Sequence, residues 1–221
     1  MRDGRTVVGI DLGSSRRKAT TAVSFLGLPG KELLEVLPRL HRVEGLQEAL
    51  PPTERVAVVA IDCPLTRPPS GETWRRSEHI LHSRGVAVFP SGAQWTEDWV
   101  NLGIGLASQL SRLGYRVVEV YPFASRKGLC IGMDKGSPVD KRSREGRRRI
   151  LVDLEREGIV IGSHRDRLLE DHDALDSAVC ALTGLLWDLR DKRIENIGET
   201  KVFAVPRTPA CDVGLSPSHS P

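Results

Sequence analysis

Aromatic residues make up only 5% of this 221-residue chain, which leaves few side chains able to stack on flat ligands. No apolar run approaches the roughly 20 residues of a membrane span, and residues 1–5 lead directly into a strand without a long apolar leader. The four cysteines, Cys63, Cys130, Cys180 and Cys211, are scattered with no CxxC pair, which argues against a zinc site. Cys63 and Cys180 lie in apolar stretches and read as buried thiols. Together these absences predict a cytoplasmic protein in a reducing compartment, with no membrane partner. Neither a GxSxG elbow nor an HExxH helix occurs, so two common hydrolase arrangements are missing. There are no internal repeats. Neither charge sign dominates: the net charge is +3, which permits nucleic-acid binding without demanding it. Arginine greatly outnumbers lysine, which suits bidentate phosphate contacts. A genomic base bias would give the same excess.

What is present is an alternation of strands and helices. Residues 6–11 form a near-continuous apolar strand, as expected when both faces are covered. Gly13, Ser14 and Ser15 make a turn. Residues 18–25 read as a hairpin partner, and 33–43 as a third strand interrupted near Pro38. Residues 45–50 form a short helix stopped by Pro51 and Pro52. The clearest strand is 55–62, "RVAVVAID", placed centrally. Helices are expected over 74–83, 97–113, 141–157 and 171–190, with Gly146 weakening the third. A strand over 115–121 is closed by Pro122, in an apolar edge position. Residues 127–138 read as a loop, and 201–205 as a short final strand. The order implies one α/β domain over 1–206 and a disordered tail over 207–221. It is the order of the ribonuclease H-like fold: a mixed five-stranded sheet, its first three strands antiparallel, flanked by helices.

Two strands end in aspartate, Asp11 and Asp62. As parallel neighbours they would emerge on one sheet edge, where α/β sheets usually carry their sites. A turn or cap role is the plainer reading for either alone. A third element, "EDHDALDSAVCA" (170–181), places Asp173 and Asp176 three residues apart on one helical face. Alone they read as an N-cap and a dipole-favoured acid. Four such carboxylates could hold Mg²⁺ or Mn²⁺, which prefer oxygen ligands. A two-metal carboxylate site hydrolyses phosphodiesters without a Cys, Ser or His nucleophile.

The stretches "VVGIDLGSS", "VVAIDCPL", "WRRSEHILHSRGV", "VVEVYPFASRKGL" and "HDALDSAVCALTGLL" occur in the order seen in the DUF429 family, and the chain resembles that family over about 6–206. DUF429 proteins are described as predicted nucleases of the ribonuclease H fold. The first and last stretches are also similar to RuvC-type junction resolvases and YqgF-like RNA-processing nucleases. That resemblance implies Asp11, Asp62, Asp173 and Asp176 as metal ligands and catalytic residues, with Ser177 where the pattern has Ala. It implies a nucleic-acid partner, DNA or RNA unresolved, and a homodimer in the resolvase case. Actin and Hsp70 share the fold but need two copies of it and a second glycine-rich turn, which is missing here. An ATP-binding or small-molecule phosphohydrolase remains the first alternative, and a non-catalytic nucleic-acid-binding module the second.

Candidate substrate-binding residues are Arg76, Glu78, Glu119, Arg126 and Lys127. Arg75 and Glu78, three apart, would also suit a simple intrahelical pair. Glu119 either lines the site or faces solvent. His79 and His82 share a helical face and could bind metal or shuttle protons. The cluster "KRSREGRRR" (141–149) could track a phosphate backbone or be a solvated helix. Trp74, Trp95 and Trp99 could stack bases, although Trp95 and Trp99 are four apart and could instead cap a core.

Overall fold

The computed structural model describes residues 4–13, 21–37, 45–197 and 203–206. The residues expected to make the turn at Ser14 and Ser15, the starts of the second and final strands, the end of the third strand and the tail from 207 lie outside them.

Strands β1 (Thr6–Asp11), β2 (Ala22–Gly27) and β3 (Glu32–Val36) form an antiparallel meander. After helix α1 (Leu46–Ala49), β4 (Val56–Asp62) pairs parallel with β1. Helices α2 (Arg76–Ser83) and α3 (Glu97–Arg112) precede β5 (Val117–Val120), which pairs parallel with β4. The sheet order β3-β2-β1-β4-β5 is the expected mixed five-stranded arrangement. Two further strands, β8 (Ile194–Asn196) and β9 (Phe203–Pro206), extend it beyond β5. Strand β5 is therefore interior rather than at the edge.

Between β5 and the last strands lie α4 (Pro122–Leu129), the hairpin β6 (Met133–Asp134) and β7 (Ser137–Pro138), α5 (Arg144–Arg156), α6 (Arg165–Glu170) and α7 (His172–Asp188). The expected loop over 127–138 is thus corrected to the end of a helix and a small hairpin. Pro122 does more than close β5: it occupies the first turn of α4, where its missing N–H costs nothing.

Alternation along the strands divides the core. Val7, Val58 and Ala60 face one way, with α5, α6 and α7. Val8, Ile10, Val59 and Ile61 face the other, with α1 and α3. Coverage of both faces explains the unbroken apolar runs of β1 and β4. Helix α7 is buried on nearly all sides from Ala174 to Leu186, as its sparse polar content requires. Two glycines permit close approach. A Cβ at Gly9 would lie 2.0 Å from the Ser177 carbonyl oxygen and 2.4 Å from the Ala181 nitrogen, so α7 rests on the bare backbone of β1. A Cβ at Gly146 would lie 1.9 Å from the Asp140 carbonyl oxygen. Gly146 is therefore what lets α5 begin against its own preceding loop, not a weak point.

Gly9→Ala is expected to destabilise the protein by more than about 3 kcal/mol, because neither backbone can yield locally. Gly105→Ala, in exposed α3 with open space around it, is expected to stabilise by about 0.5–1 kcal/mol. Chemical denaturation of both variants measures the contrast.

Candidate active site

The site begins with register. Asp11 and Asp62 are paired residues at the ends of adjoining parallel strands, whose backbones lie about 4.8 Å apart. Their carboxylates therefore leave the sheet at one edge, both partly exposed. Indole Nε1 of Trp99 donates to the carbonyl oxygen of Leu12 at 2.8 Å, fixing the chain just after Asp11. The Cys63 thiol bonds the carbonyl oxygen of Trp99 at 3.3 Å. One turn of α3 thus ties both strand ends together.

Helix α7 adds the second pair. Its N-cap is Asp171, whose Oδ1 accepts from the amides of Asp173 at 3.0 Å and Ala174 at 3.4 Å. The capping role considered for Asp173 is therefore taken by its neighbour. A local signal for this was present: Asp171 directly precedes the apolar helix. Asp173 is left with its carboxylate 2.6 Å from Nδ1 of His172. Asp176 is buried, 4% exposed, and its carboxylate receives the ammonium of Lys141 from the loop before α5.

The charges confirm that these groups form one cluster. Burial pushes the Asp11 carboxyl well above its ordinary range, and Asp62, Asp176 and Asp173 push it further. Asp62 is raised in the same way, by burial first, then by Asp176 and, more weakly, Glu119. Lys141 opposes both shifts. Burial works against its own charge, yet attraction to Asp176, Asp11 and Asp62 keeps that ammonium above its usual range. Among the described residues, no three His, Cys, Asp or Glu side chains are already arranged to hold one ion. The donors nonetheless fit a hard divalent cation by chemistry, because all are carboxylate oxygens.

The structure places the remaining candidates around the cluster in different ways. Glu78 and Glu119 are both 2% exposed, and both are bound by Arg75, itself 3% exposed. Arg75 Nε donates to Glu78 at 2.9 Å, and its two terminal nitrogens donate to Glu119 at 2.9 and 2.7 Å. The Leu65 amide donates to Glu119 at 2.7 Å and the Ser91 amide to Glu78 at 3.2 Å. This buried network fastens the loop following Asp62, and it joins Arg75 to Glu119, 44 residues away, as well as to the expected local partner Glu78. Glu119 faces inward, not to solvent. Arg126 is buried and donates to the carbonyl oxygens of Ile131, Gly132 and Val139; its charge also reaches Asp176. Lys127 donates to the Gly85 carbonyl oxygen at 2.7 Å. Arg76 lies exposed on α2, beside His79 in a shallow surface depression. The imidazoles of His79 and His82 pack on Trp74 at 5.8 and 5.9 Å between ring centres.

A protein-family model described as "Protein of unknown function (DUF429)" matches residues 9–201. The chain belongs to the DUF429 family. The matched span takes in Asp11, Asp62, Asp173 and Asp176 together with the Arg75 network. No curated protein and no solved structure matches the chain significantly. No helix among the described residues is long and apolar enough to cross a membrane.

Two outcomes follow from the electrostatics. A carboxyl whose folded pKa is raised binds protons better in the fold, so stability is lost as pH rises from the unfolded value of about 4 toward the folded one. In chelator, Asp62→Asn is therefore expected to melt above wild type at about pH 7.5, with the gap closing toward about pH 4; thermal melts across that range measure it. Arg75→Ala leaves two buried carboxylates unpaired and is expected to cost about 3–5 kcal/mol in a denaturation experiment.

Proposed function

We propose that this DUF429 protein is a metal-dependent nuclease that hydrolyses nucleic-acid phosphodiester bonds, with Mg²⁺ or Mn²⁺ held by Asp11, Asp62, Asp173 and Asp176. The observation that carries the reading is the in-register pair Asp11–Asp62 beneath the first turns of α7, with Asp11 raised by burial and then by Asp62, Asp176 and Asp173, and Asp62 by burial and then by Asp176. A carboxylate cluster of this kind is unfavourable unless a cation joins it. Divalent ions bound there would activate water as the nucleophile and offset charge on the phosphodiester.

The chain's own residues have separable parts. Asp11 and Asp62 are held by strand register and by the Trp99 and Cys63 contacts, so their spacing is preset. Asp173 and Asp176 ride on a helix anchored along its whole length, whose N-terminus favours negative charge. Lys141 shields Asp176 and would turn its ammonium toward a phosphate oxygen once a metal ion bound the carboxylate. Arg142 and Arg144, the next basic residues in the chain, are exposed. The Arg75 network acts at one remove, by holding the loop after Asp62. The same reading places the protein in the cytoplasm, with nucleic acid as its partner.

The test is cleavage of a labelled panel: single- and double-stranded DNA, RNA, RNA–DNA hybrid and a four-way junction. Cutting is expected with Mg²⁺ or Mn²⁺, none with chelator. Asp62→Asn and Asp176→Asn should each lose more than the about 10–100-fold typical of removing a supporting residue. Cutting that persists in either variant, or in chelator, would refute the assignment.

A further inference from the structure

The segment between α2 and α3 presents two aromatic rings to solvent. Phe89 is 61% exposed and Trp95 67%, and their rings meet edge to face with centres 5.2 Å apart. Exposing two such rings forfeits the apolar burial they could have gained. The segment is not loosely held. The Gly92 amide donates to the Thr73 carbonyl oxygen at 2.9 Å, and the Ser91 amide donates to buried Glu78. The Thr96 hydroxyl donates to the carbonyl oxygen of Ala93 at 2.7 Å, and Tyr121 donates to that of Ala87 at 2.7 Å. The backbone is fixed on both flanks while the rings point outward, so the platform is preorganised.

Its position relates it to the acidic cluster. Phe89 is the one exposed residue lining a narrow cleft that also contains Asp62, Leu81, Trp99, Glu119 and Tyr121. The platform thus adjoins the cluster on the Asp62 side. Lys141 reaches it on the Asp176 side, and the exposed Arg142 and Arg144 follow Lys141 in the chain. Positive charge that follows a backbone, combined with rings that stack on bases, is how proteins hold single strands. In a duplex the base faces are already stacked on one another and offer nothing to a protruding ring.

We propose that Phe89 and Trp95 form a stacking subsite for an unpaired nucleobase, so that the substrate of the acidic cluster is a strand with unpaired nucleotides. This rests on the nuclease reading for the identity of the chemistry; binding is measured without cutting, and cutting by the alanine variants is measured with Asp62 intact. Both side chains are mostly exposed, so Phe89→Ala, Trp95→Ala and the double variant should fold as wild type, checked by thermal melting.

Fluorescence anisotropy in Mg²⁺ would compare a labelled 12-nucleotide single strand with the same sequence as a duplex, using the Asp62→Asn background to prevent cutting. Each alanine variant is expected to weaken single-strand binding about 5- to 100-fold and to leave duplex binding within twofold. Phe89→Trp should restore most of the affinity, and the single strand should quench Trp95 fluorescence. Equal losses on both substrates, no loss on either, or no binding of the single strand would overturn the proposal. So would a mononucleotide bound as tightly as the strand, which would make the rings part of a small-molecule site. Metal-dependent cutting unaffected by either alanine change would sink the subsite and leave the nuclease reading intact. Selective single-strand binding without cutting of any substrate by wild type would do the reverse.

Discussion

The contact between α7 and β1 at Gly9 is the constraint on which the site depends. Helix and strand touch backbone to backbone there, with no side chain between them. The approach is supported beside it by the hydroxyls of Ser24 and Ser177, 2.6 Å apart. Because the contact leaves no slack, the first turns of α7 must lie above the end of β1. Asp173 and Asp176 are on those turns and Asp11 is at that end. A longer separation, such as any larger residue at Gly9 would impose, would open the cluster without altering one of its acids.

Holding like charges together has a cost, and the surroundings show how it is met. Asp176 receives Lys141, the strand-end pair feels the same ammonium, and the α7 N-terminus adds its dipole. Next to it, Glu78 and Glu119 share the single guanidinium of Arg75 in a buried network. The two sets of acids are thus held differently: Glu78 and Glu119 are closed with a shared arginine and fasten a loop, whereas Lys141 meets the other set at Asp176. That difference, more than the number of acids, separates the structural carboxylates from the candidate ligands.

Several of these features were legible in the residues themselves. β1, β4, α3 and α7 follow from apolar runs and helical spacing, and the five-stranded core order follows from their succession. Asp11 and Asp62 stand out because each terminates an apolar strand. The small elements were less legible. Helix α4 was hidden because Pro122 both ends a strand and opens a helix. Strand β8 is three residues long and carries too little pattern to register. Arg75 was obscured because its decisive partner, Glu119, is 44 residues away. Trp95 and Trp99 shared one expectation, yet one bonds Leu12 and the other stands in solvent.

The sequence by itself determined the alternation of elements, the four aspartates at element ends and the family to which the chain belongs. These depend on local periodicity and on short runs of neighbouring residues. Tertiary structure alone decided which acids became partners, which were closed off by arginine, that Lys141 lies on Asp176, and that Phe89 and Trp95 meet beside Asp62. Those outcomes depend on strand register and on the closeness of α7 to β1. Such distances are set by packing between segments far apart in the chain, and no local pattern encodes them.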